Sequence, residues 1–156
     1  MTTPRGAKIV PGAFSYRDHA LHGAETGASP DGRKAGAPLN DGSCPVQGYD
    51  CKGPTASLAS TSYWKPARFI GGTSVNVKLN SDISPEKVVS IVKSYIAFGG
   101  SQIQFNVVDT DMLLDAQKNP ESYRDLLVRI GGYSDFFVTI PKELQDDVIS
   151  RSQNNL

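Results

Sequence analysis

The sequence predicts an α/β fold with a long irregular N-terminal loop region, few strands and about four helices. Two observations lead to this fold class. Residues 1–60 hold nine of the fifteen glycines and six of the ten prolines, and residues 26–56 show neither a helical nor a strand period of apolar side chains. Residues 74–152 instead alternate strand and helix patterns joined by short links, which is typical of α/β packing.

Three strand patterns are predicted, at residues 75–79, 102–108 and 126–130. In the first, apolar and polar side chains alternate. In the second, QIQFNVV, glutamine and asparagine form one face and apolar residues the other. Three or four strands are too few to close a barrel. The chain therefore looks like part of a larger fold.

The clearest helix signal begins at Ser84, a suitable N-cap residue that precedes Pro85 and an apolar stripe. The stripe ends at Gly99-Gly100, which favour a C-terminal cap. Three further helices are predicted. One spans residues 110–118, the next begins at Asn119-Pro120-Glu121, and the last spans residues 141–152.

The irregular stretch is longer than the loops of most compact domains, which rarely exceed about 15 residues. Pro30-Asp31-Gly32 and Asp41-Gly42 within it carry the residues of defined turns. We therefore expect an ordered loop that packs against something large.

Charge and hydropathy exclude several classes of function. Sixteen basic and sixteen acidic residues cancel, so net charge gives no argument for a nucleic-acid or membrane-surface partner. No apolar run approaches the length of a membrane span, about 18 residues or more. The N-terminus lacks the apolar core of a signal peptide, and the expected location is the cytoplasm.

A metal site is not expected. Cys44 and Cys51 lie seven residues apart, and with His19 and His22 they match no tight zinc spacing. Two free thiols are the favoured reading, because a reducing compartment disfavours a disulfide. The acidic side chains of the helices, Asp147 among them, are expected on solvent-exposed faces.

The stretch VRIGGYSDFF, residues 128–137, places Gly131 and Gly132 inside an apolar run. A turn or bulge is the ordinary explanation. A second explanation is chemical: loss of a hydrogen atom from a glycine Cα gives a radical delocalised onto the amide nitrogen and carbonyl, and a side chain would hinder the flattening this requires. Such a radical needs shielding from water and oxygen, which apolar neighbours would provide, namely Ile130, Phe136 and Phe137.

The string RIGGYSDFF, with Arg129, Gly132 and Tyr133, resembles the signature of glycyl radical enzymes. PGAFSY, TGASPDGRKAGAPLNDG, GPTASLAS, FIGGTSVNVKLN and ELQDDVISR also resemble this family, in its order and spacing, over about residues 10–152. The resemblance implies that the chain is the C-terminal part of a ten-stranded α/β barrel of the pyruvate formate-lyase type. It also implies that Gly132 bears the radical.

The resemblance assigns the other site residues too. Arg129, Ile130, Gly131 and Tyr133 would support the radical loop. Gln104 and Asn106 would line the barrel interior, or else meet solvent. Two positions depart from the family signature. Gly131 stands where serine, alanine or cysteine is commoner, and Asp135 where a small apolar residue is usual.

The implied chemistry needs no bound cofactor and at least one partner. A radical SAM activating enzyme, which carries an iron–sulfur cluster, would take the hydrogen atom from Gly132. The radical would then oxidise a cysteine to a thiyl for anaerobic lyase, dehydratase, decarboxylase or formate C-acetyltransferase chemistry. Neither Cys44 nor Cys51 matches the family's cysteine loop, so we expect that residue outside this chain and no activity from the chain alone.

On this reading residues 1–156 are one glycine radical domain, with a loop-rich lead-in at 1–60 and a strand and helix part at 61–156 that carries the radical loop. Two functions stay open: a portion of a glycyl radical enzyme barrel, or an autonomous glycyl radical subunit that docks on a partner enzyme. A phosphate-binding module is disfavoured, because the glycine-rich phosphate motifs are missing. The motifs do not reveal the substrate.

Overall fold

The computed structural model describes residues 2–15, 18–46 and 49–151, and the backbone of residues 153–154. Within these ranges it contains five α-helices and five short strands. In chain order they are α1 (His19–Ala24), α2 (Pro54–Tyr63), β1 (Val75–Leu79), α3 (Pro85–Ala97), β2 (Ile103–Val107), α4 (Thr110–Lys118), β3 (Leu127–Arg129), β4 (Ser134–Phe136), α5 (Lys142–Ser150) and β5 (Gln153–Asn154). Short 3₁₀ helices lie at Pro66–Arg68 and Pro120–Tyr123.

The larger sheet has three strands in the order β2-β1-β5. Strand β1 is central and pairs in parallel with both neighbours, with Val75 opposite Ile103 in the β2 pairing. Parallel neighbours need a crossover connection, and α3 provides it between β1 and β2. The strand–helix–strand pattern predicted for residues 75–108 is therefore confirmed.

Helix α3 begins and ends where its sequence indicates. The Ser84 hydroxyl oxygen accepts the Lys87 amide hydrogen at 3.4 Å, and Pro85 occupies the first helical position. At the other end, Gly99 has a φ of +89°, and its amide donates to the Ile96 carbonyl at 2.9 Å. These bonds satisfy donors and acceptors that a helix end otherwise leaves unpaired.

Two apolar cores support the fold. One lies between α2, α3 and the parallel sheet, and its buried residues are Leu58, Val75, Val77, Leu79, Ile91 and Tyr95. The other lies under α4, α5 and an antiparallel hairpin of β3 and β4, and it contains Val108, Leu113, Ala116, Val128, Ile130, Phe137, Ile140 and Val148. The second core forms the base on which the hairpin rests.

The first part of the chain differs from its prediction, because α1 and α2 were not expected. Helix α2 buries one large apolar side chain, Leu58, among small and hydroxyl residues, so its sequence carries little apolar period. Between these helices the chain is irregular, as predicted, with residues 47–48 outside the described ranges. The Arg33 guanidinium orders this loop by donating to the carbonyls of Ala37, at 2.6 Å, and Gly27.

The last helix ends at Ser150 rather than at residue 152, which lies outside the described ranges. Its first core residue is Leu144, and Val148 one turn later is fully buried. Among the residues described, we find no helix of the length and apolarity that a membrane crossing requires.

Candidate functional site

The glycine pair forms the tip of the β3–β4 hairpin. Arg129 pairs with Ser134, and the Ile130 amide donates to the Tyr133 carbonyl at 2.9 Å, which leaves Gly131 and Gly132 to turn the chain. Gly132 has a φ of +87°, in the left-handed region that glycine adopts without steric cost. The turn explanation for the glycine pair is therefore right about the backbone.

Gln104, on β2, holds the tip. Its Oε1 atom accepts the Gly132 amide hydrogen at 2.9 Å and the Arg129 Nε–H at 2.6 Å. Two donors at one atom identify that atom as the carbonyl oxygen of the side-chain amide. Gln104 is only 6% exposed, and its Nε2 atom has no hydrogen-bond partner among the residues described.

Asn106 holds the strand that leads into the tip. Its Nδ2 atom donates to the Arg129 carbonyl at 2.7 Å, and its Oδ1 atom accepts the Arg129 amide hydrogen at 2.6 Å. The side chain thus reproduces the pair of bonds that a neighbouring strand would make. Both Gln104 and Asn106 are buried, so the alternative that these two side chains meet solvent is wrong.

Arg151 contacts the same hairpin from the end of α5. Its two terminal nitrogens donate to the carbonyls of Arg129, at 3.0 Å, and Ile130, at 2.8 Å. The second nitrogen also donates to Asp147 Oδ2 at 2.9 Å. Sequence reasoning assigned no role to Arg151. Two signals could have found it: it ends the family-like stretch ELQDDVISR, and it lies one helical turn after Asp147.

Asp147 joins Arg151 to the first helix. Its Oδ1 atom lies 2.9 Å from His19 Nε2, and the His19 side chain is almost fully buried. The hydrogen bond to Asp147 is the main cause that raises the pKa of His19, against the opposing effect of burial. The expectation that Asp147 is solvated is therefore wrong, because this carboxylate joins the buried side chains of His19 and Arg151.

The apolar residues expected to shield the glycine lie elsewhere. Ile130 and Phe137 are fully buried in the core beneath the hairpin, and Phe136 is 43% exposed. Gly132 itself is exposed, as is Tyr133. The hairpin extends beyond its own core at the tip, so the predicted shielding by these three side chains is wrong for this chain.

A cavity of about 250 Å³ lies beside the tip. One wall comes from the segment that enters β1, and the other from β2 and the hairpin. The lining residues are Phe14, Gly71, Gly72, Thr73, Ser74, Gln102, Gln104, Gly131 and Gly132. Glycine backbone on both sides gives space for another group to approach Gly132 closely.

The cysteines and histidines do not converge. Both cysteines are free. The Cys44 sulfur accepts the Asn76 amide hydrogen at 3.1 Å, and burial raises the pKa of its thiol to about 12. No group of three side chains able to hold a metal ion occurs within the described part of the chain.

Comparison with known proteins adds an independent finding. A family model described as "Glycine radical" matches residues 39–138. The chain is 38% identical to "Probable dehydratase YbiW" of Escherichia coli strain K12, over 98% of this chain and 20% of that protein. It is also 38% identical to indoleacetate decarboxylase of Tractidigestivibacter scatoligenes, over 97% of this chain and 18% of that protein.

A solved structure is similar over the whole chain. The glycerol-bound B12-independent glycerol dehydratase of Clostridium butyricum superposes with a TM-score of 0.92 at 40% identity, covering 100% of this chain and 20% of that chain. The chain thus spans about a fifth of the length of the relatives it matches.

Proposed function

Because this chain belongs to the glycine radical family, we propose that Gly132 is the residue that stores the radical. The observation that carries the proposal is the backbone at the hairpin tip. Gly132 combines an exposed position, a left-handed φ and an amide hydrogen fixed by Gln104. It also precedes the aromatic Tyr133, as in the family signature.

The neighbouring residues would each have a supporting role. Arg129 and Ile130 supply the carbonyls that Arg151 binds. Gly131 completes the turn without adding a side chain beside the reacting carbon. Tyr133 closes the hairpin through its carbonyl, which accepts the Ile130 amide hydrogen. Gln104 and Asn106 belong to the strand face that we propose lines a barrel interior in the larger fold.

We infer that a SAM-dependent iron–sulfur activase removes one hydrogen atom from the Gly132 Cα. The activase supplies the abstracting radical, and the hydrogen leaves with it, so the glycine ends one hydrogen atom short. An exposed tip suits access by a second protein. Because an iron–sulfur activase needs a reducing compartment, we propose that this step takes place in the cytoplasm.

The stored radical would pass to a cysteine outside this chain. The buried Cys44 thiol is bonded to the β1 backbone, on a different part of the fold from the tip. The relatives are named as dehydratases and a decarboxylase. We therefore propose lyase chemistry of the dehydratase or decarboxylase type for the whole enzyme, ahead of formate acetyl transfer. The alternative remains a radical subunit that docks on a separate enzyme.

Anaerobic electron paramagnetic resonance tests the assignment. The purified chain is incubated with a radical SAM activase and reductant, and a doublet from one Cα hydrogen is expected. Deuteration of glycine at Cα should collapse the doublet. Gly132→Ala should abolish the signal, and oxygen should cleave the activated wild-type chain at residue 132.

Gly99→Ala is the matched control, because Gly99 also has a positive φ but lies at the end of α3, where an added Cβ meets open space. This variant should keep the doublet. A doublet that survives Gly132→Ala would overturn the assignment. Absence of any signal, with the activase proven on another glycyl radical protein, would show that this chain does not store a radical alone.

A further inference from the structure

We propose that Arg151 is a positioning residue for the glycine turn, and that Asp147 and His19 hold it in place. A role for Arg151 in placing the radical carbon rests on the proposed function of Gly132. The contacts of Arg151 with the turn do not depend on that function, because they are all present in the unactivated chain.

The guanidinium binds two consecutive carbonyls just before the glycine pair. One terminal nitrogen donates to the Arg129 carbonyl and the other to the Ile130 carbonyl, at 3.0 and 2.8 Å. The planar fork of arginine fixes both carbonyls relative to each other. The Arg129 carbonyl also accepts from Asn106, so the strand entering the turn is held from β2 and from α5 together.

Arg151 is itself fixed by buried charge. It is 8% exposed, and its second terminal nitrogen lies 2.9 Å from Asp147 Oδ2 and 3.8 Å from Asp41 Oδ2. The other Asp147 oxygen bonds His19, 128 residues away in the sequence. Removal of one partner from a buried ion pair leaves an uncompensated charge, so these contacts resist loss more strongly than surface pairs do.

The arrangement connects two segments that are distant in the sequence, α1 and the end of α5, to one turn. Helix α1 contributes His19, α5 contributes Asp147, and the residue after α5 reaches the hairpin. A displacement of α1 or α5 would therefore move Arg151 and, through the two carbonyls, the position of Gly132 relative to Gln104. We infer that this set of contacts determines how accurately the radical carbon is placed.

Hydrogen exchange measured by mass spectrometry on the unactivated chain tests the inference. Arg151→Gln should speed exchange in peptides containing residues 130–133 by about tenfold, because the turn opens locally more often. Arg151→Lys keeps the charge but not the fork, and it should give an intermediate increase. Asp147→Asn should resemble Arg151→Gln, and His19→Gln should have a smaller effect.

Arg124→Gln is the matched control. Arg124 pairs with Glu121 three residues earlier, and both side chains are more than 70% exposed. Such surface pairs contribute little, so exchange in the hairpin should not change. Asp111→Asn, on an exposed position of α4, is the corresponding control for Asp147→Asn.

Paramagnetic resonance after activation gives the second readout. Arg151→Gln should lower the radical yield or broaden the doublet, with partial rescue in Arg151→Lys. Faster exchange in Arg151→Gln, without a doublet in the wild type or any variant, would leave the positioning role intact and show that this chain does not store a radical alone. An unchanged hairpin in Arg151→Gln, or exchange raised equally in every peptide of both Arg151 variants, would overturn the positioning role.

Discussion

The side-chain oxygen of Gln104 accepts the amide hydrogen of Gly132 at 2.9 Å, and it accepts the Arg129 Nε–H at 2.6 Å as well. One neutral side chain from β2 therefore fixes both the turn and the guanidinium that precedes it. Because Gln104 is buried, water cannot replace it without a local opening of the hairpin.

Replacing this acceptor should loosen the tip. Gln104→Leu removes the oxygen that both the Gly132 amide and the Arg129 guanidinium bind. Each lost hydrogen bond of this kind costs about 1 kcal/mol. We expect the free energy of unfolding to fall by about 2 kcal/mol, measured by urea denaturation, and exchange of the Gly132 amide to accelerate.

Gln102→Leu provides the control, since Gln102 immediately precedes the same strand but is exposed. Its substitution should stay within about 0.5 kcal/mol of the wild type. If both variants lost the same free energy of unfolding, the hydrogen bond from Gly132 to Gln104 would make no measurable contribution to stability.

Substitution of Asn106 tests whether its side-chain amide stabilises the backbone of Arg129 as a neighbouring strand would. Asn106→Asp keeps an acceptor for the Arg129 amide but places a carboxylate oxygen against the Arg129 carbonyl, where Nδ2 now donates. We expect a loss of about 2 kcal/mol in the free energy of unfolding, partly recovered at acidic pH as the new carboxyl protonates. Asn40→Asp also removes a bond from Nδ2 to a carbonyl, that of Cys44, but at an exposed position, so it should lose less than about 1 kcal/mol.

The sequence predicted the part of the fold that local rules determine. Ser84 and the Gly99-Gly100 pair bound helix α3 because capping depends on neighbouring residues alone. The apolar alternation of β1 identified its strand, and the α/β class as part of a glycyl radical enzyme fold is confirmed. The alternation in β2 showed that Gln104 and Asn106 share a face.

What the sequence could not show was the partner of each polar residue. The residues around β2 do not indicate that its polar face, with Gln104 and Asn106, contacts the β3–β4 hairpin instead of water. His19 and Asp147 lie far apart in the chain, and each looks like an ordinary surface residue until tertiary packing brings them to 2.9 Å. Helix α2 was missed because packing of Leu58, rather than an apolar period, holds it.

The His19–Asp147 pair predicts a pH dependence. The pKa of His19 is raised in the folded chain, chiefly by the bond to Asp147, with Asp41 also raising it and burial and Arg151 lowering it. A raised pKa means that the folded state binds the proton more tightly, so the stabilisation is fully present below the unfolded value, about 6.5. It is lost as pH rises through the folded pKa.

Urea denaturation between pH 5 and 9, comparing wild type with His19→Gln, measures this effect. The stability difference between the two should shrink as pH rises above about 6.5. His22→Gln, at an exposed position of the same helix, should follow the wild type throughout. A difference that grows with pH would contradict the assigned direction of the His19 pKa.

The two cysteines should differ sharply in reactivity. Thiolate is the reactive form, and burial raises the pKa of Cys44 to about 12 while Cys51 is exposed. Iodoacetamide at pH 8 should therefore label Cys51 in the native chain within minutes and leave Cys44 unmodified. Unfolding in urea should expose both thiols to the reagent. Rapid labelling of native Cys44 would show that this segment opens readily.

The two glycines after α3 should tolerate alanine differently. At Gly99 an added Cβ meets open space, so Gly99→Ala costs only the left-handed backbone, about 1–2 kcal/mol. At Gly100 the added Cβ would overlap the ring of Tyr95, which is fully buried and cannot move aside without disturbing the core. Gly100→Ala should therefore lower the melting temperature more than Gly99→Ala. In the double variant with Tyr95→Leu, part of that additional loss should be relieved.

If Gly99→Ala lowered the melting temperature as much as Gly100→Ala, backbone strain rather than the clash with Tyr95 would explain why this helix end requires glycine.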